Sequence, residues 1–188
     1  RSQDGFLNVI DQTLLPERVR WSRLSSLKDV AEAIMTMKVR GAPLIGIVGA
    51  YGMALAAQRS RARTKDGLEG ELRRAARFLE GIRPTGRNLS WALEIVLHAV
   101  EGAEGLEAAK RAASLAADGL LRDDVDVNRR IGMAGAGLIR DGDAILTHCN
   151  TGSLATAGYG TALGVIRAAW EGGKRVTVYA TERGAGLQ

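Results

Sequence analysis

The chain has 188 residues, of which 46% are hydrophobic and 4% aromatic, and it carries a formal net charge of +5. This composition excludes an intrinsically disordered chain and predicts a folded core built mainly of Ala, Leu, Ile and Val. The single cysteine excludes an internal disulfide and is typical of a cytoplasmic protein. No apolar run reaches the length of about 18 residues that a membrane span needs, so no membrane partner is expected.

Basic residues crowd the stretch 59–77, at Arg59, Arg61, Arg63, Lys65, Arg73, Arg74 and Arg77. They form either a nucleic-acid patch or a solvated helix face. Acidic residues alternate with the arginines, and no aromatic side chain interleaves to stack on bases. The pattern favours the solvated face, and no nucleic-acid partner is expected.

Residues 1–125 predict a mainly helical domain with a short β-hairpin. The stretch 6–15 predicts a short strand or the hairpin itself and is stopped by Pro16. A helix over 26–38 follows, because Ser26 can cap it and apolar residues recur at helical spacing. The almost wholly apolar stretch 44–57 predicts a buried helix. Further helical patterns cover 68–80, 89–100 and 106–121.

Residues 126–188 predict the opening of a second domain. After a helix over 127–139, the chain predicts a strand over 144–149, a helix over 154–171 and a strand over 174–180. Such a β–α–β unit requires a parallel sheet. The predicted class is therefore α/β, a mainly helical N-terminal domain followed by the start of a Rossmann-like parallel-sheet domain. Because two parallel strands need neighbours, the domain is expected to continue beyond residue 188.

Cys149 lies at the predicted carboxyl end of a parallel strand, where open α/β sheets bind their ligands. The polar turn 150–153 follows it and is predicted to lead into a helix, whose N-terminal amides could receive a phosphate. A lone cysteine is equally well explained as a small buried apolar residue.

Two arginines lie at predicted turns, Arg40 in VRGAP and Arg83 in RPTGRN. A guanidinium group grips phosphate oxygens with a planar fork of donors, although a lone arginine is more often a surface charge. His98 and His148 lie on separate elements and, with one cysteine, make no metal set. Gly158, Gly160 and Gly164 fall inside the predicted helix and indicate close packing rather than NAD binding.

Several motifs together resemble the methylthioribose-1-phosphate isomerase family, within the wider group that includes regulatory subunits of translation initiation factor 2B. They are IDQTLLP at 10–16, VRGAP at 39–43, RPT at 83–85 with Asn88, and DGDAILTHCNTG at 141–152. The matching residues run through nearly the whole chain.

The resemblance implies a cytoplasmic homodimer that acts on a phosphorylated sugar without a cofactor or metal. The implied reaction is the aldose–ketose isomerisation, formally an intramolecular oxidoreduction, of 5-methylthioribose 1-phosphate to 5-methylthioribulose 1-phosphate in methionine salvage. Cys149 matches the family's catalytic cysteine. Substrate-binding positions of the family are matched by Arg40, Gly41, Ala42, Arg83 and Gln188.

Two features depart from the family's pattern. The family reads Asp-Glu-Thr-Arg-Pro before the glutamine, whereas residues 181–187 here read TERGAGL. The family's catalytic aspartate falls later than residue 188. The residues leave open a ribose-1,5-bisphosphate isomerase and a non-catalytic subunit resembling those of initiation factor 2B. They also leave open whether hydrogen moves through an enediol or as a hydride.

Overall fold

A computed structural model describes residues 5–181 of the protein. The chain divides into two compact units, Arg1–Leu121 and Arg122–Gln188. The boundary falls within one long helix, which spans Leu106–Ala136.

The first unit opens with two antiparallel strands, β1 (Leu7–Ile10) and β2 (Trp21–Leu24), in which Leu7 lies opposite Leu24. A short 3-10 turn, Gln12–Leu14, separates them. The hairpin predicted within 6–15 is therefore wrong in extent, because only its first strand falls there. The sequence pattern does not predict β2, because the apolar Trp21 lies on the exposed side of the strand and the polar Ser22 on the other.

Four helices follow: α1 (Leu27–Met35), α2 (Ala42–Arg59), α3 (Lys65–Ile82) and α4 (Arg87–Glu101). Each lies within a few residues of its predicted span. Ser26 and Asp29 form a capping box at the start of α1, since the Asp29 amide donates to Ser26 Oγ and the Ser26 amide donates to Asp29 Oδ2.

The core of the first unit surrounds α2, in which 12 of 18 residues are buried. Small residues let its neighbours approach closely, because a Cβ on Gly49 would lie 2.4 Å from Leu89 Cδ1 and one on Gly52 would lie 2.9 Å from Val30 Cγ1. The apolar segment is therefore a core helix. Within residues 5–181, no helix has both the length and the apolar character needed to cross a membrane.

Arg73, Arg74 and Arg77 lie on the exposed side of α3, whereas Arg59, Arg61 and Arg63 precede this helix. Leu68, Leu72 and Leu79 of the same helix are fully buried. Arg73 forms an ion pair with Glu101, and Lys65 pairs with Glu69 at 3.4 Å. These contacts fit the solvated helix face that the alternating charges favour.

The second unit contains the end of α5 (Leu106–Ala136), then β3 (Ala144–Thr147), α6 (Ala162–Glu171) and β4 (Thr177–Ala180). Strands β3 and β4 pair in parallel, with Ala144 opposite Thr177. This β–α–β unit after a mainly helical region confirms the predicted α/β class.

Helix α5 and helix α6 both differ from prediction. Helix α5 is one continuous helix rather than two, because the polar residues at the expected break are satisfied within it: Asn128 Nδ2 donates to the Asp124 carbonyl at 2.8 Å. Lys174 Nζ caps its end by donating to the carbonyls of Ala136 and Ile139 at 2.6 and 2.7 Å. Helix α6 begins at Ala162 and not at Leu154.

Candidate active site

Cys149 lies two residues beyond the carboxyl end of β3, with an exposed thiol. Its backbone is in the left-handed region, with φ of +73°. A non-glycine residue pays for this conformation, and residues of this kind concentrate at functional sites. The strand-end position predicted for Cys149 is therefore observed, together with a strained backbone that the sequence did not indicate.

The segment after Cys149 is an ordered loop, 150–161, and not the start of a helix. It contains a 3-10 turn at Ser153–Ala155. Thr156 Oγ1 then bonds both the carbonyl and the amide of Gly158, at 3.0 and 3.2 Å. Tyr159 and Gly160 have positive φ of 71° and 92°, which ends any helical path and explains why α6 starts later than predicted.

Gly160 fits where another residue would collide. A Cβ there would lie 2.8 Å from the Gly152 carbonyl carbon and 2.9 Å from Thr151 O. Gly158 and Gly160 thus belong to the loop, contrary to the prediction that they lie inside a helix, whereas Gly164 does lie in α6. Gly160 is closely packed, but against loop backbone and not between a helix and the sheet as predicted.

The N-terminus of α6 nevertheless returns to the residues after Cys149. Thr151 O accepts from the Thr161 amide at 2.9 Å and from the Leu163 amide at 3.3 Å. Thr161, the N-cap residue, makes no side-chain capping bond. The positive end of the α6 dipole is therefore next to Thr151 and Gly152, which is the environment that an anionic group favours.

One polar contact and one unpaired polar group lie around Cys149. Thr147 Oγ1 and Thr151 Oγ1 lie 3.1 Å apart, so the chain on either side of the dipeptide is tied together. Asn150 Nδ2 is buried and has no hydrogen-bond partner among the described residues. Because an unpaired buried amide is costly, this donor is suited to a ligand oxygen.

His148 does not share the position of Cys149. Its Nδ1 lies 3.0 Å from Oγ1 of Thr181, the residue that follows β4. The described residues hold no group of three His, Cys, Asp or Glu side chains arranged to bind a metal ion.

Arg40, Gly41 and Ala42 lie at the N-terminus of α2 in the first unit. Gly41 is the N-cap, with φ of 103°, a conformation that glycine adopts without strain. Helix α2 has 18 residues, so its dipole is well developed at the turn that carries Arg40.

Arg83 caps the C-terminus of α3, and its carbonyl accepts from the Gly86 amide at 2.8 Å in the turn that leads into α4. A Cβ on Gly46, one turn into α2, would lie 2.6 Å from Asn88 O at the start of α4. The N-termini of α2 and α4 therefore lie at the same end of the first unit. The Arg40–Ala42 turn and the Arg83 turn precede these two N-termini and therefore lie at that end as well. Gln188 lies outside the described residues.

Sequence reasoning missed a polar face on the last part of α5. Asp124, Asn128 and Gly132 recur every four residues on one face of the helix, and Asp124 and Gly132 contact the loop. The Asp124 carboxylate accepts from the Ala157 amide at 2.7 Å, and a Cβ on Gly132 would lie 2.7 Å from Tyr159 Cε1. Burial raises the pKa of Asp124, although the bond from Ala157 opposes that rise. The four-residue spacing was the signal available in the sequence.

The fold and the strand-end loop define a class: α/β proteins with a parallel β–α–β unit, here with the candidate site after the first strand of that unit. Within this class the chain belongs to the initiation factor 2 subunit family, whose model matches residues 38–184.

Two curated relatives are both called methylthioribose-1-phosphate isomerase. The relative from Desulforudis audaxviator is 51% identical over 99% of this chain and 53% of its own. The relative from Pelotomaculum thermopropionicum is 49% identical over 95% of this chain and 50% of its own. The chain thus spans about half the length of the curated relatives it matches.

Two crystal structures are similar to this chain. Translation initiation factor eIF-2B, subunit delta, from A. fulgidus is 44% identical with a TM-score of 0.84, over 95% of this chain and 52% of that one. The 5-methylthioribose 1-phosphate isomerase from Pyrococcus horikoshii OT3 is 32% identical with a TM-score of 0.87, over 96% of this chain and 59% of that one.

Proposed function

We propose that this protein is an aldose–ketose isomerase that converts 5-methylthioribose 1-phosphate to 5-methylthioribulose 1-phosphate in methionine salvage. The observation that carries the proposal is Cys149, an exposed thiol held in a left-handed conformation after a parallel strand. The names of the two curated relatives and of the P. horikoshii structure support the same activity.

The chemistry requires hydrogen to move from C2 to C1 of the sugar, and each step needs a group that gives or takes a proton. A cysteine side chain can do so and can stabilise developing charge near it. Cys149 is proposed for this role, next to the unpaired Asn150 amide and the α6 N-terminus.

Substrate binding is assigned to Arg40, Gly41, Ala42 and Arg83, with Gln188 as a further contact. A guanidinium fork and helix N-terminal amides are the usual partners of a phosphate in proteins. The proposed protein is a cytoplasmic homodimer that needs neither a cofactor nor a metal and binds neither nucleic acid nor membrane.

The test is turnover of 5-methylthioribose 1-phosphate by the complete purified protein and its Cys149→Ala variant. Loss of an acid/base group is expected to lower kcat by about 10²- to 10⁴-fold. The unfolding midpoint should change little, because the thiol is exposed. A Cys149→Ala protein with near wild-type kcat would remove Cys149 from the mechanism.

The arginines can be tested with a matched pair on α3. Arg83→Ala is expected to raise KM about tenfold or more through loss of a charge-assisted contact. Arg77→Ala removes another exposed arginine of the same helix and should leave KM unchanged. Equal effects of the two variants would argue against a specific role for Arg83.

A non-catalytic regulatory subunit is the second candidate, favoured by the name of the A. fulgidus structure. It predicts tight binding to a translation factor and no turnover of any sugar phosphate. A ribose-1,5-bisphosphate isomerase would show turnover with the other substrate, so comparison of kcat/KM for the two sugar phosphates separates the enzymes.

A further inference from the structure

The loop 150–161 has little regular secondary structure, yet its backbone is tied to α5 at one point. Ala157 donates its amide to Asp124 Oδ2 at 2.7 Å across 33 positions of sequence. The adjacent Thr156 is buried, and its hydroxyl bonds within the loop, whereas the Ala157 amide points to the helix. Asp124 is the acceptor that meets it.

Asp124 is held in place from its own helix. Asn128, which is only 3% exposed, bonds the Asp124 carbonyl one turn earlier. Gly132, a further turn along, leaves room for Tyr159 and the Gly164 carbonyl. One face of α5 therefore packs against the loop, and Asp124 is the charged residue on that face. Partial burial strengthens a hydrogen bond made there, because the local dielectric is low.

The contact reaches Cys149 through the loop itself. Ala157 leads into Tyr159 and Gly160, and Gly160 packs on the backbone of Thr151 and Gly152. Thr151 is tied back to Thr147 on the other side of Cys149. Fixing Ala157 thereby fixes the segment that holds Cys149 in its left-handed conformation.

We propose that Asp124 is a positioning residue, which holds the loop 150–161, and with it Cys149, through its bond to the Ala157 amide. Asp124 acts on backbone and not on substrate. The effect on turnover rests on the proposed isomerase activity, whereas the effect on the loop does not.

The experiment compares Asp124→Ala, Asp124→Asn and Asp123→Ala in the complete protein. Asparagine keeps a carbonyl oxygen that can accept from Ala157, while alanine leaves the amide unpaired. Asp123 is the exposed neighbour on the same helix and serves as the matched control. The measurements are amide hydrogen exchange by mass spectrometry and steady-state kinetics.

In Asp124→Ala, exchange across 150–161 is expected to rise about tenfold or more, because a bond to a charged acceptor is lost. Hydrogen exchange in β3 and in α6 should stay near the wild-type rate. The kcat should fall about tenfold, with a smaller change in KM. Asp124→Asn and Asp123→Ala should both remain within about threefold of wild type in all these measures.

Three results would overturn the proposal: equal exchange in Asp124→Ala and Asp123→Ala, faster exchange throughout the second unit, or a looser loop with unchanged kcat. The second would show a general structural role instead of local positioning. If the wild-type protein does not turn over a sugar phosphate, the proposed function fails, and hydrogen exchange still decides whether Asp124 holds the loop.

Discussion

The two units of the chain are stabilised in different ways. The largest fully buried side chains of the described residues all lie between Val30 and Val96, in the first unit. In the second unit every residue of β4 is exposed, and the buried positions are mostly small, such as Ala155, Gly160 and Ala169. The first unit therefore depends on apolar side chains, and the candidate site of the second depends on backbone contacts that glycine and hydrogen bonds permit.

The largest effect should come from truncating the apolar core of the first unit. Leu93 has no exposed surface, so Leu93→Ala is expected to lower the free energy of unfolding by about 3 kcal/mol. Leu146 on β3 is 73% exposed, and Leu146→Ala should change the free energy of unfolding by less than about 0.5 kcal/mol. Urea unfolding of both variants measures the contrast, and equal losses would contradict it.

A somewhat smaller loss is expected from crowding the loop of the second unit. Gly160→Ala combines a left-handed backbone with a collision against Gly152, at a cost of about 2 kcal/mol. Gly173 has a similar φ of 87° but no atom within 4 Å of its added Cβ, so Gly173→Ala should cost about 1 kcal/mol.

Thermal unfolding and turnover distinguish the two glycine variants. Only Gly160→Ala should also lower kcat, since only Gly160 packs against the residues that follow Cys149. A Gly173→Ala variant with the larger loss of kcat would show that the loop does not depend on close backbone packing.

Two carboxylates should respond to pH with opposite signs. The hydrogen bond from the Ser25 amide, followed by those of the Ser25 and Ser26 side chains, holds the pKa of Asp29 below its ordinary value of 3.8. Asp29 therefore contributes stability above pH 3.8 that is lost as pH falls through its folded pKa. Burial raises the pKa of Asp124, so its contribution is present below pH 3.8 and is lost as pH rises through its folded pKa.

The corresponding variants are Asp29→Asn and Asp124→Asn, measured by urea unfolding from pH 3 to pH 7. At pH 7 Asp29→Asn should be less stable than wild type by about 1 kcal/mol, because a neutral amide oxygen replaces the charged acceptor of the Ser25 and Ser26 amides. Asp124→Asn should be as stable as wild type or more so at pH 7. The Asp124→Asn difference should disappear as pH falls toward 3.8, whereas the Asp29→Asn difference should only begin to shrink below pH 3.8. Shifts of the same sign at pH 7 would refute the assignment.

The smallest effect is expected on the basic face of α3. Arg73 pairs with Glu101, but its side chain is 51% exposed, so Arg73→Ala should cost less than about 0.5 kcal/mol. The measured difference should shrink further as salt is added. A cost of more than about 1 kcal/mol would contradict the interpretation of this side of α3 as a solvated helix face.

The same contrast explains what the sequence could predict. Helices α1 to α4 were located to within a few residues, because caps such as Ser26 and apolar repeats are local signals. The loop was wrongly predicted as helix from Leu154, because its path is set by contacts distant in sequence, such as Asp124 with Ala157. The position of Cys149 could be predicted because ligands bind at the carboxyl ends of parallel strands. Its left-handed backbone and the polar face of α5 could not be predicted, because both depend on tertiary packing.

At position 149, the residue that would best stabilise the backbone differs from the residue that the proposed chemistry needs. A glycine would adopt φ of +73° without the penalty that a side chain incurs, so the backbone here favours the residue that carries no thiol. A screen for thermostability alone should therefore select Cys149→Gly and discard the proposed catalyst. Keeping a cysteine at this turn is then a trade in which the fold gives up stability for reactivity.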